Sequence, residues 1–220
     1  MIVEVITAFS FSYVMYNFDL GYVQGMSDLL SPILFVMQNE VDAFWCFVKF
    51  MERVKNNFDL DQGGMKRQLG KLIELHKCVD PGFYSYLSTK ESGNFYFCFR
   101  WLLIWFKREF SFGDVIRLWE VLWTRLPCDN FHLMLCVALI QMEKATIMEN
   151  GFGLTEILKH VNDMSSNIDV DRVLSDAESI FLRLEKLDFC HCESAKKILS
   201  VSVAGDGEEL AKGDDESESR

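Results

Sequence analysis

A glutamine held between two glycines is the position in this chain best suited to chemistry. In Gly21-Tyr22-Val23-Gln24-Gly25 the glycines admit backbone that other residues resist, and Tyr22 and Met26 are expected to anchor the turn in a core. Gln24 would then project. A carboxamide is a poor nucleophile and carries no useful proton equilibrium, but it donates and accepts at once, so it can orient a water or an anionic oxygen in phosphoryl transfer. Other candidates are weaker. Cys190-His191-Cys192 crowds its ligands too closely for the usual C-x₂₋₄-C metal spacing and has no second half-site, so no metal is expected. His76, His132, His160 and His191 have no partner at triad or metal spacing. Arg100, among Phe97, Phe99, Trp101 and Phe106, reads as a structural guanidinium stacked on aromatics and paired with an internal acid.

The elements that must hold such a loop read as helices throughout. No sustained apolar/polar alternation suggests a sheet, and the fold class expected is all-α. After Asn39, a good N-cap, Val41, Phe44, Trp45, Val48 and Met51 recur at helical spacing as a buried face. Gly63-Gly64 precedes a stripe of Met65, Leu69, Leu72 and Ile73, and Asp80-Pro81 marks another start. One aromatic-rich helix is expected from Asn94 to Phe110. Asp114 is expected to cap the next helix, with Val115, Leu118, Trp119 and Leu122 inward until Pro127. Phe131 to Met142 is apolar nearly all round, which suits a central helix that Asn150-Gly151 stops. Leu154, Ile157, Leu158 and Val161 form one stripe; Val170, Val173, Leu174, Ala177, Ile180, Phe181 and Leu184, capped by Asp169, form the last. The five tryptophans, Trp45, Trp101, Trp105, Trp119 and Trp123, are core residues by default.

Composition narrows the partners. Half of the 220 residues are apolar and the formal net charge is −11, with residues 206–220 carrying seven acids against Lys212 and Arg220. An acidic body and an acidic tail argue against nucleic acid, whose binding rests on basic side chains displacing counterions, and against direct docking on anionic lipid. Seven cysteines, an odd number, with Cys46, Cys98 and Cys136 inside apolar runs, read as free thiols of a reducing compartment. No charge-free run is long enough for a membrane span, so no direct membrane insertion is expected.

The glutamine motif also resembles a known pattern. Tyr22-Val23-Gln24-Gly25 is similar to the Y-x-Q-G glutamine finger of the TBC family of Rab GTPase-activating proteins. Phe99-Arg100-Trp101-Leu102-Leu103 through Phe106-Lys107-Arg108-Glu109-Phe110, and Val115 to Leu122, resemble the next two landmarks of that family in order and spacing. The resemblance implies an all-α, multi-helix TBC-type (Rab-GAP) domain over residues 1–185, N-terminally truncated, followed over 186–220 by an acidic tail expected to be disordered. It implies an activator acting in trans on a GTP-bound Rab-family GTPase, with no reaction of its own. Gln24 is the catalytic residue so implied, and Asn17, Gly21, Tyr22 and Gly25 support the finger loop. No cofactor is implied, since GTP and Mg are carried by the partner. The place implied is cytoplasmic, in vesicle trafficking, with peripheral recruitment to endomembranes through partners.

One part of the pattern is missing. The family carries its arginine finger in an I-x-x-D-x-x-R motif some tens of residues before Y-x-Q-G, and the residues before Tyr22 hold no such motif. Ile168-Asp169-Val170-Asp171 puts Leu174 where the arginine belongs, and Asp114-Val115-Ile116-Arg117 has Ser111 where isoleucine belongs. None of Arg53, Arg67, Arg100, Arg108, Arg117, Arg125, Arg172 and Arg183 takes the role by motif. The expectation is that the 220 residues are a fragment, with the arginine upstream. The rival expectation, should Met1 be a true start, is a catalytically inactive Rab-binding or helical scaffold module.

Overall fold

The sequence's helical periodicity is realised in a computed structural model that describes residues 2–18, 20–165, 167–186 and 193–199. Twelve α-helices follow one another, and there is no strand among the described residues: α1 Ile2–Tyr16, α2 Met26–Met37, α3 Glu40–Val54, α4 Gly63–Val79, α5 Pro81–Thr89, α6 Phe99–Leu103, α7 Phe112–Trp123, α8 Phe131–Met142, α9 Lys144–Glu149, α10 Leu154–Asp163, α11 Val170–Lys186 and α12 Glu193–Leu199. Short 3₁₀ turns, Lys55–Phe58 and Tyr96–Cys98, join α3 to α4 and lead into α6.

Helix α8 is the axis of the fold. Its residues Leu133 to Ile140 are all buried, and α4, α6, α9 and α11 pack around it. A helix that is apolar on every side needs partners on every side, which is why the amphipathic stripe of α11, with Val170, Val173, Ala177, Ile180 and Leu184 buried, closes against it. At the other end, α1, α2 and α3 pack on one another, and α7 also leans on α2. Pro32 lies inside α2 and cannot donate to the Asp28 carbonyl; the Ser31 hydroxyl donates to that oxygen instead, at 3.4 Å, and the helix continues.

Several starts follow from side chains that satisfy free backbone amides. Asn39 accepts from the amides of Val41 and Asp42, Asp80 accepts from Phe83 ahead of Pro81 at the first helical position, and Asp169 accepts from Arg172. The cap of α7 is Ser111, not Asp114. The Ser111 hydroxyl accepts from the Asp114 amide at 3.3 Å and donates to the Asp114 carboxylate at 2.6 Å.

The expected long helix from Asn94 to Phe110 does not form. After α6, Trp105 and Phe106 take left-handed backbone at φ 48° and 60°, and the chain turns back on itself. The turn is stabilised by burial of both rings, by the Phe106 amide donating to Trp101 O at 2.8 Å, and by the Trp105 carbonyl accepting from Trp119 Nε1 at 2.8 Å. The stripe on α3 is also displaced. Ala43, Phe47, Val48, Phe50, Met51 and Val54 face the core, whereas Val41 and Trp45 are exposed and Trp45 meets Tyr16 of α1 edge-on. Trp123 is likewise half-exposed, and Cys46 is exposed on the outer side of α3. A further correction concerns residues 193–199, assigned above to the tail. They form α12, which packs on α4 with Ala195 and Ile198 buried, and Asn130 Nδ2 donates to the Ile198 carbonyl at 2.7 Å. The acidic stretch beyond, and Cys190-His191-Cys192, lie outside the described residues.

His76 on α4 is wholly buried between the rings of Phe83 and Phe95, and burial pushes its pKa down to about 4. The folded imidazole stays neutral where the unfolded one takes a proton. Stability is therefore full above the ordinary histidine value and is lost as pH falls from about 6.5 towards 4, by on the order of 3 kcal/mol. Thermal melts at falling pH should show this slope, and His76→Leu should reduce it, leaving the part that the likewise depressed His132 contributes.

Candidate functional site

The loop between α1 and α2 is built by its own backbone. The Asn17 amide donates to Tyr13 O at 2.8 Å as α1 ends, and the Asn17 carbonyl accepts from the amides of Leu20 and Gly21 at 3.2 and 3.3 Å. Gly21 sits at φ 66°, which turns the chain outward with open space around its α-carbon. Val23 and Met26 then close the crest reciprocally: the Met26 amide donates to Val23 O at 3.2 Å, and the Val23 amide lies 3.4 Å from the Met26 sulfur. The Gly25 carbonyl accepts from Asp28 and Leu29 and so begins α2.

Gln24 occupies the crest of this turn and is exposed, with no hydrogen-bond partner for its carboxamide among the described residues. Gly25 beside it is buried at φ 107°, and a β-carbon there would stand 2.9 Å from Ile104 Cγ2 and 3.6 Å from Phe58 Cε1. The loop thus rests on a floor made by Phe58 and Ile104, close enough that only glycine fits. Met26 is buried as expected. Tyr22 is not: it is half-exposed, with its hydroxyl 3.4 Å from Ser27 Oγ. Its ring borders a hollow of about 700 Å3 between α1 and α2 rather than entering the core. Asn17, Gly21, Tyr22, Gln24 and Gly25 are thereby brought into one loop.

Two residues that spacing alone did not single out fix this loop. Asp28, in the first turn of α2, receives a forked pair of hydrogen bonds from Arg108, Nε to Oδ1 at 3.0 Å and Nη2 to Oδ2 at 2.9 Å. The Asp28 carboxylate holds the Arg108 guanidinium above its ordinary pKa. Eighty residues separate the pair in sequence, so only the turn at Trp105 and Phe106 brings them together. Ile104 and Arg108 flank that turn, one under the loop and one gripping the helix it leads into. Arg100 is in the structural role expected of it. Its Nε and Nη2 donate to Glu109 at 2.7 and 2.8 Å, and the Ser165 hydroxyl donates to the same carboxylate at 2.9 Å. Glu109 is completely buried.

The arginines are mostly committed elsewhere: Arg117 to Asp171 at 2.8 Å, Arg172 to Asp176 at 3.8 Å, Arg125 to Asp129 at 3.9 Å. Among the described residues, no three of the histidines, cysteines and acids come together as a metal site, and no helix is long and apolar enough to cross a membrane.

Comparison with known proteins bears on the family and the fold. The family model of the Rab-GTPase-TBC domain matches residues 11–148, which include the Gln24 loop, the turn after α6 and α7. The human protein TBC1 domain family member 17 is 58% identical over 173 residues, covering 79% of this chain and 27% of that protein. GTPase-activating protein GYP7 of Saccharomyces cerevisiae is 40% identical over 176 residues, 80% of this chain and 24% of that protein. The chain spans about a quarter of the length of these curated relatives. In fold it is similar to the crystal structure of the Ypt/Rab-GAP domain of Gyp1p, with a TM-score of 0.72 at 22% identity, over 83% of this chain and 65% of that one.

Proposed function

The chain belongs to the Rab-GTPase-TBC domain family, and we propose that it acts in trans on a GTP-bound Rab-family GTPase, placing Gln24 against the bound nucleotide to orient the attacking water. The observation that carries this reading is the state of Gln24: an exposed carboxamide on the crest of a turn whose backbone is locked on both sides. Slow intrinsic hydrolysis in such GTPases reflects a poorly held water and uncompensated charge on the phosphates. A carboxamide can accept from the water and donate to a phosphate oxygen at once, and a rigid loop lets it do so without losing freedom on docking. GTP and Mg would come with the partner, and this chain would supply no cofactor and catalyse no reaction of its own. Asn17, Gly21, Tyr22 and Gly25 would hold the loop. Activation also needs an arginine to stabilise the developing charge, and none of the paired arginines above fits that task. Recruitment to endomembranes would follow from the partner.

Single-turnover GTP hydrolysis by a panel of Rab proteins, with this chain and with Gln24→Ala, tests the reading. Loss of the carboxamide should lower any acceleration by about 10²- to 10³-fold. Because Gln24 is exposed and holds nothing, the same variant should melt within about 0.5 kcal/mol of the parent. Acceleration that survives Gln24→Ala would sink the finger. No acceleration, with binding that still prefers the GTP state, would replace activation by a binding role.

A further inference from the structure

On the side of the fold where α3 ends and α4 begins, a cleft of about 290 Å3 is lined by Arg53, Arg67, Lys71 and Arg125 together with the single carboxylate of Asp129. Four cations facing one acid is the opposite of what a chain with a net charge of −11 would produce by chance placement. Among the described residues, Arg53, Arg67 and Lys71 have no carboxylate within 4.0 Å, and Arg125 reaches Asp129 only at 3.9 Å. Asp129 Oδ1 is itself buried without a hydrogen-bond partner.

The wall behind these charges is rigid and already satisfied. Arg53 lies over the Trp105 ring, 5.0 Å from its centre, and Trp105 stacks on His132 at 6.1 Å. His132 Nε2 pairs with Gln68 Oε1 at 2.9 Å, Gln68 donates to Asn57 Oδ1, and Asn57 Nδ2 donates to the Leu102 carbonyl at 3.1 Å. Burial, with Arg53 and Lys71 nearby, drives His132 down to about 3, so the wall adds no charge at neutral pH. Burial chiefly, and the neighbouring Arg125 after it, lower Arg53, against the opposing pull of Asp129. Polar groups that are mutually bonded leave a ligand nothing to replace, whereas Arg53, Arg67 and Lys71, and Arg125 with its long 3.9 Å contact to Asp129, remain open to one.

We propose that this cleft binds a small, multiply phosphorylated molecule such as an inositol phosphate, its phosphates on Arg53, Arg67, Lys71 and Arg125. Phosphate oxygens match forked guanidinium donors, and several phosphates answer several cations. The cleft volume lies at the small end of the range for ligand sites, roughly 300 Å3, which suits a headgroup rather than a polymer. The cleft stands apart from the reading of Gln24 and does not depend on it. An inositol lipid headgroup and a soluble inositol phosphate share this chemistry, and the measurement separates them.

Calorimetric titration of the 220-residue chain with inositol trisphosphate should show saturable binding, weakened about tenfold or more by Arg67→Glu and by Lys71→Glu. Arg67 is exposed on α4, so its reversal should leave the melting temperature unchanged; Lys71→Met is the second variant if Lys71→Glu does not fold. Flotation with phosphatidylcholine vesicles carrying phosphatidylinositol bisphosphate identifies the lipid source if the chain floats, and the soluble source if it binds only the free headgroup. No saturable binding, binding untouched by either charge reversal, or equal capture by phosphatidylserine vesicles of matched charge would each overturn the proposal.

Discussion

Arg100→Ala is expected to destabilise the fold by about 3 kcal/mol, read as a lower denaturant midpoint at unchanged slope. The reason lies in Glu109, which is completely buried and whose oxygens are met only by the Arg100 fork and the Ser165 hydroxyl among the bonds described. Removing the guanidinium leaves a carboxylate in a low-dielectric site with one hydroxyl for company, and that orphaned charge costs more than the pair itself contributes. Arg100 is 37% exposed at its side chain, which puts the expected cost at the lower end for a buried pair. The reverse substitution should be milder. Glu109→Gln removes the charge but keeps the shape, and Arg100 can turn its free donors to solvent, so about 1 kcal/mol is expected. A difference of less than about 0.5 kcal/mol between the two variants would show that Glu109 is not held as a buried charge. Function should follow stability. Arg100 and Glu109 bracket the turn that carries Ile104 and Arg108, so a loosened pair should also loosen the floor of the Gln24 loop.

The sequence made some of these parts visible and hid others for definite reasons. Apolar periodicity reports which face of a helix is inward, and it found α8, α10, α11 and the caps at Asn39, Asp80 and Asp169, because those depend on neighbours within a few residues. It misplaced the face of α3, where Val41 and Trp45 lie outside the core and Trp45 is used against Tyr16 of α1, while Phe44 meets both Tyr16 and the core ring of Phe9. It read 94–110 as one helix because nothing local marks a break there. Neither Trp105 nor Phe106 is a residue that favours left-handed backbone, and their conformation is imposed by burial and by the bond from Trp119. The same holds for the site. Gln24 and its glycines announce themselves by spacing, whereas Asp28 and Arg108 are ordinary surface charges until the turn brings them together. Asn57, Gln68 and His132 were legible only as isolated polar residues, since their network spans three elements.

Gly25→Ala separates the loop's conformation from the chemistry of Gln24, and the expected loss is about 3 kcal/mol. Backbone at φ 107° lies beyond the left-handed region that L residues tolerate, a cost of about 1–3 kcal/mol, and the new methyl would meet Ile104 Cγ2 at 2.9 Å, an overlap of similar cost. Gly21→Ala is the control within the same loop. Its φ of 66° is left-handed but ordinary, nothing lies within 4 Å of the added carbon, and about 1 kcal/mol is expected. Thermal melts rank the two. The overlap can be relieved without emptying the core, because leucine at 104 keeps the volume and lacks the β-branched methyl. Gly25→Ala with Ile104→Leu should therefore recover part of the loss, leaving the backbone strain. If Gly25→Ala and Gly21→Ala melt alike, the loop does not rest on Ile104 as the geometry requires. If the double variant regains stability yet does not regain GTPase activation, the left-handed turn at Gly25 is what aims Gln24. Recovery of both would mean that the floor, and not the turn, sets the aim.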